Sequence, residues 1–231
     1  MSTGYVKGIA FIMEGATEKV FYRAFLQWLA DKHGCRFERI DSTDIGEILF
    51  EWTRGTEVAL IKFNVVGAVT QVVHSVKWFR NTCSKKYKIP WNVYLCYDTD
   101  SPGNDISKFF EDDWKLLRAD LRKAKAKSVV DLAAQADIED VMLCDLPGIC
   151  RYLGVTPPER LIGRKGKAKM KALYRSCGRT YHAGEKSEDM VKKLDFEKII
   201  KDGPIRLDIL VGELTKIVAS TANKVDPGYI E

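Results

Sequence analysis

Short apolar runs alternate with amphipathic segments along the first 135 residues, and this alternation limits the possible folds more than any other feature of the chain. Residues 5–13 form a mostly apolar run that stops at Glu14-Gly15, as expected of a strand that is buried on both faces. From Thr17 the apolar residues recur every three or four positions, which predicts a helix that ends near residue 34. The chain therefore begins with a strand, a turn and a helix.

The same unit recurs downstream. We predict further strands at 35–40, 58–66, 91–97 and 128–133, and helices at 44–52, 69–79 and 106–125. Alternation of this kind favours an α/β protein with a parallel sheet flanked by helices. In such a sheet, right-handed crossovers bring the turns after successive strands to one edge, where ligands usually bind.

The pattern changes after residue 135. Helices are predicted at 138–153, with an interruption at Pro147-Gly148, and at 166–177, 196–201 and 205–219. No strand–helix repeat and no linker rich in Ser, Gly or Pro occurs in this part. We therefore predict a core over residues 1–135 and a helical extension with a basic segment over residues 136–231 that packs on the core.

The composition limits the partners and the cellular compartment that we expect for this chain. A hydrophobic content of 45% in 231 residues is enough for a substantial core, and the net charge of +5 is too small to imply a nucleic-acid partner by itself. Six scattered cysteines without a CxxC pair favour a reducing compartment. No apolar run approaches the roughly 18 residues that span a bilayer, so we predict a cytoplasmic protein without a membrane partner.

Two pairs of acidic residues follow predicted strands. Glu14 and Glu18 flank a helix start, where the helix dipole stabilises carboxylates, and both are open to interpretation as ordinary first-turn acids. Asp98 and Asp100 point to the same side of an extended segment, so their repulsion calls for a counter-charge such as Mg²⁺ or Mn²⁺. Turn and cap chemistry beside Ser101-Pro102-Gly103 is the alternative.

The two motifs together resemble the Toprim domain of topoisomerases, primases, small-RNA maturases and OLD-family nucleases. The resemblance rests on Glu14-Gly15-Ala16-Thr17-Glu18 with Tyr22 on the following helix, and on Asp98-Thr99-Asp100 with Gly103. The form Glu-Gly-x-Thr-Glu is most similar to the OLD and RloB branch of anti-phage proteins. The resemblance to the Toprim domain covers about residues 5–135 and implies a Toprim-like sheet.

The resemblance also implies an activity. It predicts a metal-dependent nuclease that hydrolyses phosphodiester bonds of DNA or RNA, acting as a toxic effector of bacterial phage defence. Glu14 would be a metal ligand or general base, Asp98 the principal ligand, Asp100 a second ligand, and Glu18 a ligand on the side of a second metal. The expected cofactor is Mg²⁺ or Mn²⁺.

A later acidic residue is implied at a helix start, and Glu139 in Asp137-Ile138-Glu139-Asp140 matches that position. The fuller motif of the nearest branches is missing around it, so a plain acid in the first helical turn is the alternative to a metal ligand.

A basic segment follows in the predicted extension. It is either a solvated helix face or a surface that tracks the phosphates of DNA or RNA, including transfer RNA. Lys165 and Lys167 lie on a glycine-flanked loop, from which either could stabilise charge on a scissile phosphate and act catalytically. The segment comprises Arg160, Arg164, Lys165, Lys167, Lys169, Lys171, Arg175 and Arg179.

Other partners and functions stay open at this point. OLD-family proteins often carry an ATPase domain, but this sequence has no Walker A loop, so any ATPase partner would be a separate protein. A homo-oligomer is a further expectation. The alternatives to a nuclease are a non-catalytic module that binds nucleic acid or a partner ATPase, and another Toprim-type enzyme of phosphoryl transfer.

Overall fold

The structure, a computed structural model, describes residues 4–41, 47–67, 69–99 and 111–219. Its centre is a six-stranded sheet with the strand order β2-β3-β4-β1-β5-β6 and helices on both faces. The predicted α/β class is thus confirmed as a mixed α/β fold with a mostly parallel sheet. The strands are β1 (Lys7–Met13), β2 (Arg36–Arg39), β3 (Ile48–Arg54), β4 (Glu57–Val65), β5 (Trp91–Asp98) and β6 (Ala126–Ala134).

Four strands, β4, β1, β5 and β6, run parallel. β1 lies between β4 and β5, and its residues 8–13 are all buried because helices cover both faces of the sheet. Met13 at the end of β1 pairs with Val65 of β4 and Cys96 of β5. The carboxyl ends of three neighbouring strands therefore meet at one edge, as the predicted topology requires.

The other edge of the sheet differs from the prediction. The prediction of a helix at 44–52 is wrong, because residues 48–54 form β3. This strand runs antiparallel to β4 and to β2. Phe50 and Trp52 alternate along β3 and both pack into one core cluster, an arrangement that a strand allows. A two-residue turn with Gly55 at a φ of 57° joins β3 to β4, and residues 42–46 lie outside the described part.

One long helix, α1 (Ala16–His33), covers the sheet face on which the later helices also pack. The rings of Phe21 and Phe25 in α1 contact the ring of Phe196, at centroid distances of 5.7 and 5.6 Å respectively. Helix α1 therefore shares its core with the later part of the chain. The opposite face carries a 3₁₀ turn (Val69–His74), α2 (Ser75–Trp78), a π-helical turn (Phe79–Ser84) and α3 (Glu111–Lys123).

Residues 136–219 contain helices and no strand within the described part. The region predicted as a helix at 138–153 is divided by a 3₁₀ turn at Leu143–Asp145, and the Asp145 side chain caps the helix that follows by accepting from Gly148 N–H at 3.1 Å. Within the described residues, no helix is both long and apolar enough to cross a bilayer. The α-helices of residues 136–219 are α4 (Ile138–Met142), α5 (Leu146–Leu153), α6 (Gly166–Ser176), α7 (Glu188–Val191), α8 (Phe196–Asp202) and α9 (Leu207–Ala219).

Candidate functional site

Glu14 is the first residue after the central strand, and backbone hydrogen bonds on both sides fix its position. Its N–H donates to the Cys96 carbonyl of β5 at 3.0 Å, and its own carbonyl accepts from Gly67 N–H, just after β4, at 2.8 Å. Its side chain turns toward β5, where Oε2 accepts from Asp98 N–H at 3.3 Å. The sheet therefore holds Glu14 beside Asp98, although 84 residues separate them in the sequence.

Three carboxylates meet at this edge, and we call Glu14, Glu18 and Asp98 the acidic floor. One oxygen atom from each lies within 4.8 Å of the other two. Glu18 reaches the group from the first turn of α1 and is 5% exposed. Between them, Thr17 accepts a hydrogen bond from Gly184 N–H at 3.0 Å, so this part of the motif fastens the later chain to α1.

The acidic floor is an unfavourable place for negative charge. Burial raises the pKa of Asp98 to about 9, and the charges of Glu18 and Glu14 add to the rise. Burial likewise raises the pKa of Glu18 to about 7. Asp98 Oδ1 is buried and has no hydrogen-bond partner among the described residues. A positively charged ligand would satisfy this oxygen and offset the repulsion.

One further predicted ligand, Glu139, stands apart from the floor. Glu139 lines the same cavity and is 3% exposed, but it accepts from the Tyr181 hydroxyl at 3.1 Å and does not belong to the group of close oxygens among the described residues. Burial raises the pKa of Glu139, and the nearby charge of Lys167 opposes the rise. Asp100 lies outside the described residues, so its predicted role is untested.

Basic side chains form the facing side of the cavity, and we call Arg164, Lys165, Lys167 and Lys171 the basic wall. The wall comes from the start of α6 and the loop before it, and encloses with the floor a cavity of about 690 Å³. The sequence predicts Lys165 and Lys167 at the site, and it names Arg164 and Lys171 only as members of the basic segment. The i, i+4 spacing of Lys167 and Lys171 was the available signal, because it places both on one face of a helix.

The remaining basic residues lie away from this cavity. Lys169 pairs with Asp140 at 2.6 Å, while Arg160, Arg175 and Arg179 are exposed and do not line the cavity. Asp137, which sequence reasoning named only as a neighbour of Glu139, lines the cavity and is 6% exposed. No local pattern distinguished it from an ordinary helix cap.

Comparisons with known proteins give only remote likenesses. No family model matches the chain, and no curated protein matches it. Among solved structures, a futalosine hydrolase mutant of Helicobacter pylori has 10% identity and a TM-score of 0.26, with 85% of this chain and 100% of that chain covered. The 5'-methylthioadenosine/S-adenosyl homocysteine nucleosidase of Campylobacter jejuni has 11% identity and a TM-score of 0.29, with 94% and 100% covered.

These matches correct the predicted function. The matched proteins are nucleosidases and a hydrolase rather than nucleases, which contradicts the expected metal-dependent nuclease of phage defence. The coarser prediction, that this protein is a hydrolytic enzyme, agrees with these matches. TM-scores of 0.25 to 0.29 nevertheless carry no argument for giving this chain a nucleosidase reaction.

Proposed function

We propose that this protein is a hydrolytic enzyme that holds one divalent cation on the acidic floor and binds a small anionic substrate against the basic wall. The observation that carries the proposal is the convergence of three carboxylates within 4.8 Å, one of which has a buried oxygen without a hydrogen-bond partner in the described part of the chain. Like charges at this distance are unfavourable in a buried setting unless a counter-charge or a proton is present.

The chemistry of the floor fits a hard cation. All three groups offer carboxylate oxygens, which Mg²⁺ and Mn²⁺ prefer, and no histidine or cysteine joins them among the described residues. A cation bound there would supply Lewis acidity and lower the pKa of a bound water. Glu14, Glu18 and Asp98 would hold it, and Glu139, oriented by Tyr181, faces the same cavity from α4.

The facing wall supports an anionic substrate. Within the described part of the chain, no acidic side chain forms an ion pair with Arg164, Lys167 or Lys171, so their charges are available to a ligand. A cavity of about 690 Å³ is of the size that accommodates small molecules. Arg164, Lys167 and Lys171 would supply positive charge to a phosphate group of such a substrate. The Toprim resemblance, the nucleic-acid and ATPase partners and the homo-oligomer stay predictions.

Binding of the metal alone is the first test. We expect the wild type to bind Mn²⁺ in equilibrium dialysis, and Asp98→Asn and Glu14→Gln each to weaken binding by about tenfold or more because each removes an anionic ligand. Asp189→Asn is the matched control, since Asp189 is exposed on α7 and away from the cavity. Equal Mn²⁺ binding by wild type and Asp98→Asn would contradict the assignment.

Turnover is the second test. Small phosphate esters are offered to the protein with Mg²⁺ or Mn²⁺, and released product is measured with and without a chelator. The proposal predicts hydrolysis that stops with the chelator and returns when the cation is restored. Hydrolysis that is indifferent to the chelator and to Asp98→Asn would refute it.

A further inference from the structure

We propose that Asp137 and Asp140 are positioning residues that lock the start of α6 onto α4, so that Lys167 and Lys171 face the acidic floor. This inference rests on the proposed function, because it assigns a purpose to the placement of the basic wall. It concerns residues that act through the wall.

Side chains from α4 satisfy the first amides of α6. Gly166 N–H donates to Asp140 Oδ2 at 2.8 Å, and Lys167 N–H donates to Asp137 Oδ2 at 3.1 Å. The residue before α6, Lys165, gives no side-chain cap. Two of the amides that a helix start leaves unpaired are therefore capped by side chains of residues 137–140, at the start of α4.

Asp137 joins the two helices through one carboxylate. Its Oδ1 accepts from Asp140 N–H at 2.9 Å and so caps α4, while its Oδ2 caps α6. Asp140 likewise uses both oxygens, since Oδ1 accepts from Lys169 Nζ at 2.6 Å and Oδ2 from Gly166 N–H. Each of these four oxygens has a donor, in contrast to Asp98 Oδ1, so a positioning role accounts for both residues without a cation.

Gly166 permits the close approach of the two helices. A Cβ built on it would overlap the Asp140 backbone nitrogen and Asp137 Oδ1, and would lie 2.5 Å from the Glu139 carbonyl carbon. Most of these atoms belong to the backbone, so a side chain here would push α6 away from α4. With the first turn fixed, Lys167 and Lys171 follow on one helix face about 6 Å apart along the axis.

The experiment separates the wall from the floor. Binding of inorganic phosphate is measured by calorimetry in Mg²⁺-free buffer, and binding of Mn²⁺ by equilibrium dialysis, for wild type, Gly166→Ala and Asp140→Asn. We expect Gly166→Ala to weaken phosphate binding by about tenfold or more and Asp140→Asn by about threefold, with Mn²⁺ affinity within about threefold of wild type. The matched control is Gly212→Ala in α9, where a Cβ meets no atom within 4 Å and both affinities should persist.

Thermal unfolding of each variant shows whether it is folded, and Asp140→Asn keeps the test decisive if Gly166→Ala does not fold. Phosphate affinity that survives in folded variants would overturn the positioning role of Asp137 and Asp140. A wild type that binds no phosphate, or a parallel loss of both ligands, would overturn it as well. Failure of the proposed function looks different. In that case the wild type binds no Mn²⁺, while phosphate binding still depends on Gly166 and Asp140.

Discussion

The acidic floor and the basic wall face each other across one cavity, yet they are built in different ways. Glu14 and Asp98 sit at the ends of paired strands, where the backbone ladder fixes them. The wall stands on a helix that depends on side-chain caps from Asp137 and Asp140. Two of the three floor residues are thus fixed by the sheet itself, whereas the wall is a docked element whose position can be lost separately.

The two regions also differ in their effect on stability. Two carboxyl groups of the floor, Glu18 and Asp98, have pKa values that burial raises, so their ionisation opposes folding. Lys167 and Lys171 of the wall are exposed, so their charges are solvated. A cation on the floor would therefore change stability strongly, while neutralising the wall would not.

The largest expected effect separates the two regions by cation affinity. The double variant Glu18→Gln/Asp98→Asn should lower Mn²⁺ affinity by about a hundredfold or more, because it removes two of three anionic ligands. Lys167→Met/Lys171→Met should raise it by no more than about threefold, since it removes only solvated positive charge. Equilibrium dialysis measures both, and similar losses in the two variants would break the distinction between floor and wall.

A second prediction concerns pH. Glu18 and Asp98 have folded-state pKa values of about 7 and 9, above their ordinary values of 4.5 and 3.8. Their protonated forms stabilise the metal-free protein fully below about pH 4, and this stability is lost as the pH rises through about 7 and 9. In a chelator, the melting temperature of wild type should therefore fall between pH 5 and pH 9 by about 2–8 °C more than that of Glu18→Gln/Asp98→Asn.

Saturating Mn²⁺ provides the control for the pH series. It should raise the melting temperature of the wild type more at pH 8 than at pH 5, because protons compete with the cation for the same oxygens. A wild type that grows more stable than the double variant as the pH rises in chelator would show that the floor is not an unfavourable cluster.

A smaller effect is expected at Glu139, which accepts a hydrogen bond from Tyr181 in the segment after α6. Tyr181→Phe removes the hydroxyl that donates to Glu139 and should destabilise the protein by about 1 kcal/mol, or about 2–4 °C in melting temperature. Mn²⁺ affinity should stay within about threefold, because Glu139 lies outside the floor. A loss of tenfold or more would make Glu139 a member of the floor.

The smallest effect should come from the ion pair between Lys169 and Asp140. Lys169→Met removes the contact with Asp140 but leaves the amide caps of α6, so we expect a change of about 0.5 kcal/mol or less in the free energy of unfolding. Urea unfolding monitored by fluorescence measures it. A cost as large as that of Asp140→Asn would show that charge pairing, rather than helix capping, holds the wall.

Particular residues show how far the sequence could be read. The run that ends at Glu14 and the run that ends at Asp98 were each recognisable as strands, and parallel pairing then places their ends together. Residues 48–52 were misread as a helix because short apolar runs do not distinguish strand from helix by period alone. The sequence signal that distinguishes a strand here is the Gly55-Thr56 turn, which leads the chain from β3 directly into β4.

The α/β class and the edge of the sheet where acidic residues gather are predictable from the sequence, because both follow from local periodicity and the direction of parallel strands. Only the tertiary structure decided that Glu18 joins Glu14 and Asp98, that Glu139 is held by Tyr181, and that α6 brings Lys167 and Lys171 to the same cavity. These placements depend on burial and on hydrogen bonds between distant segments, which leave no local pattern.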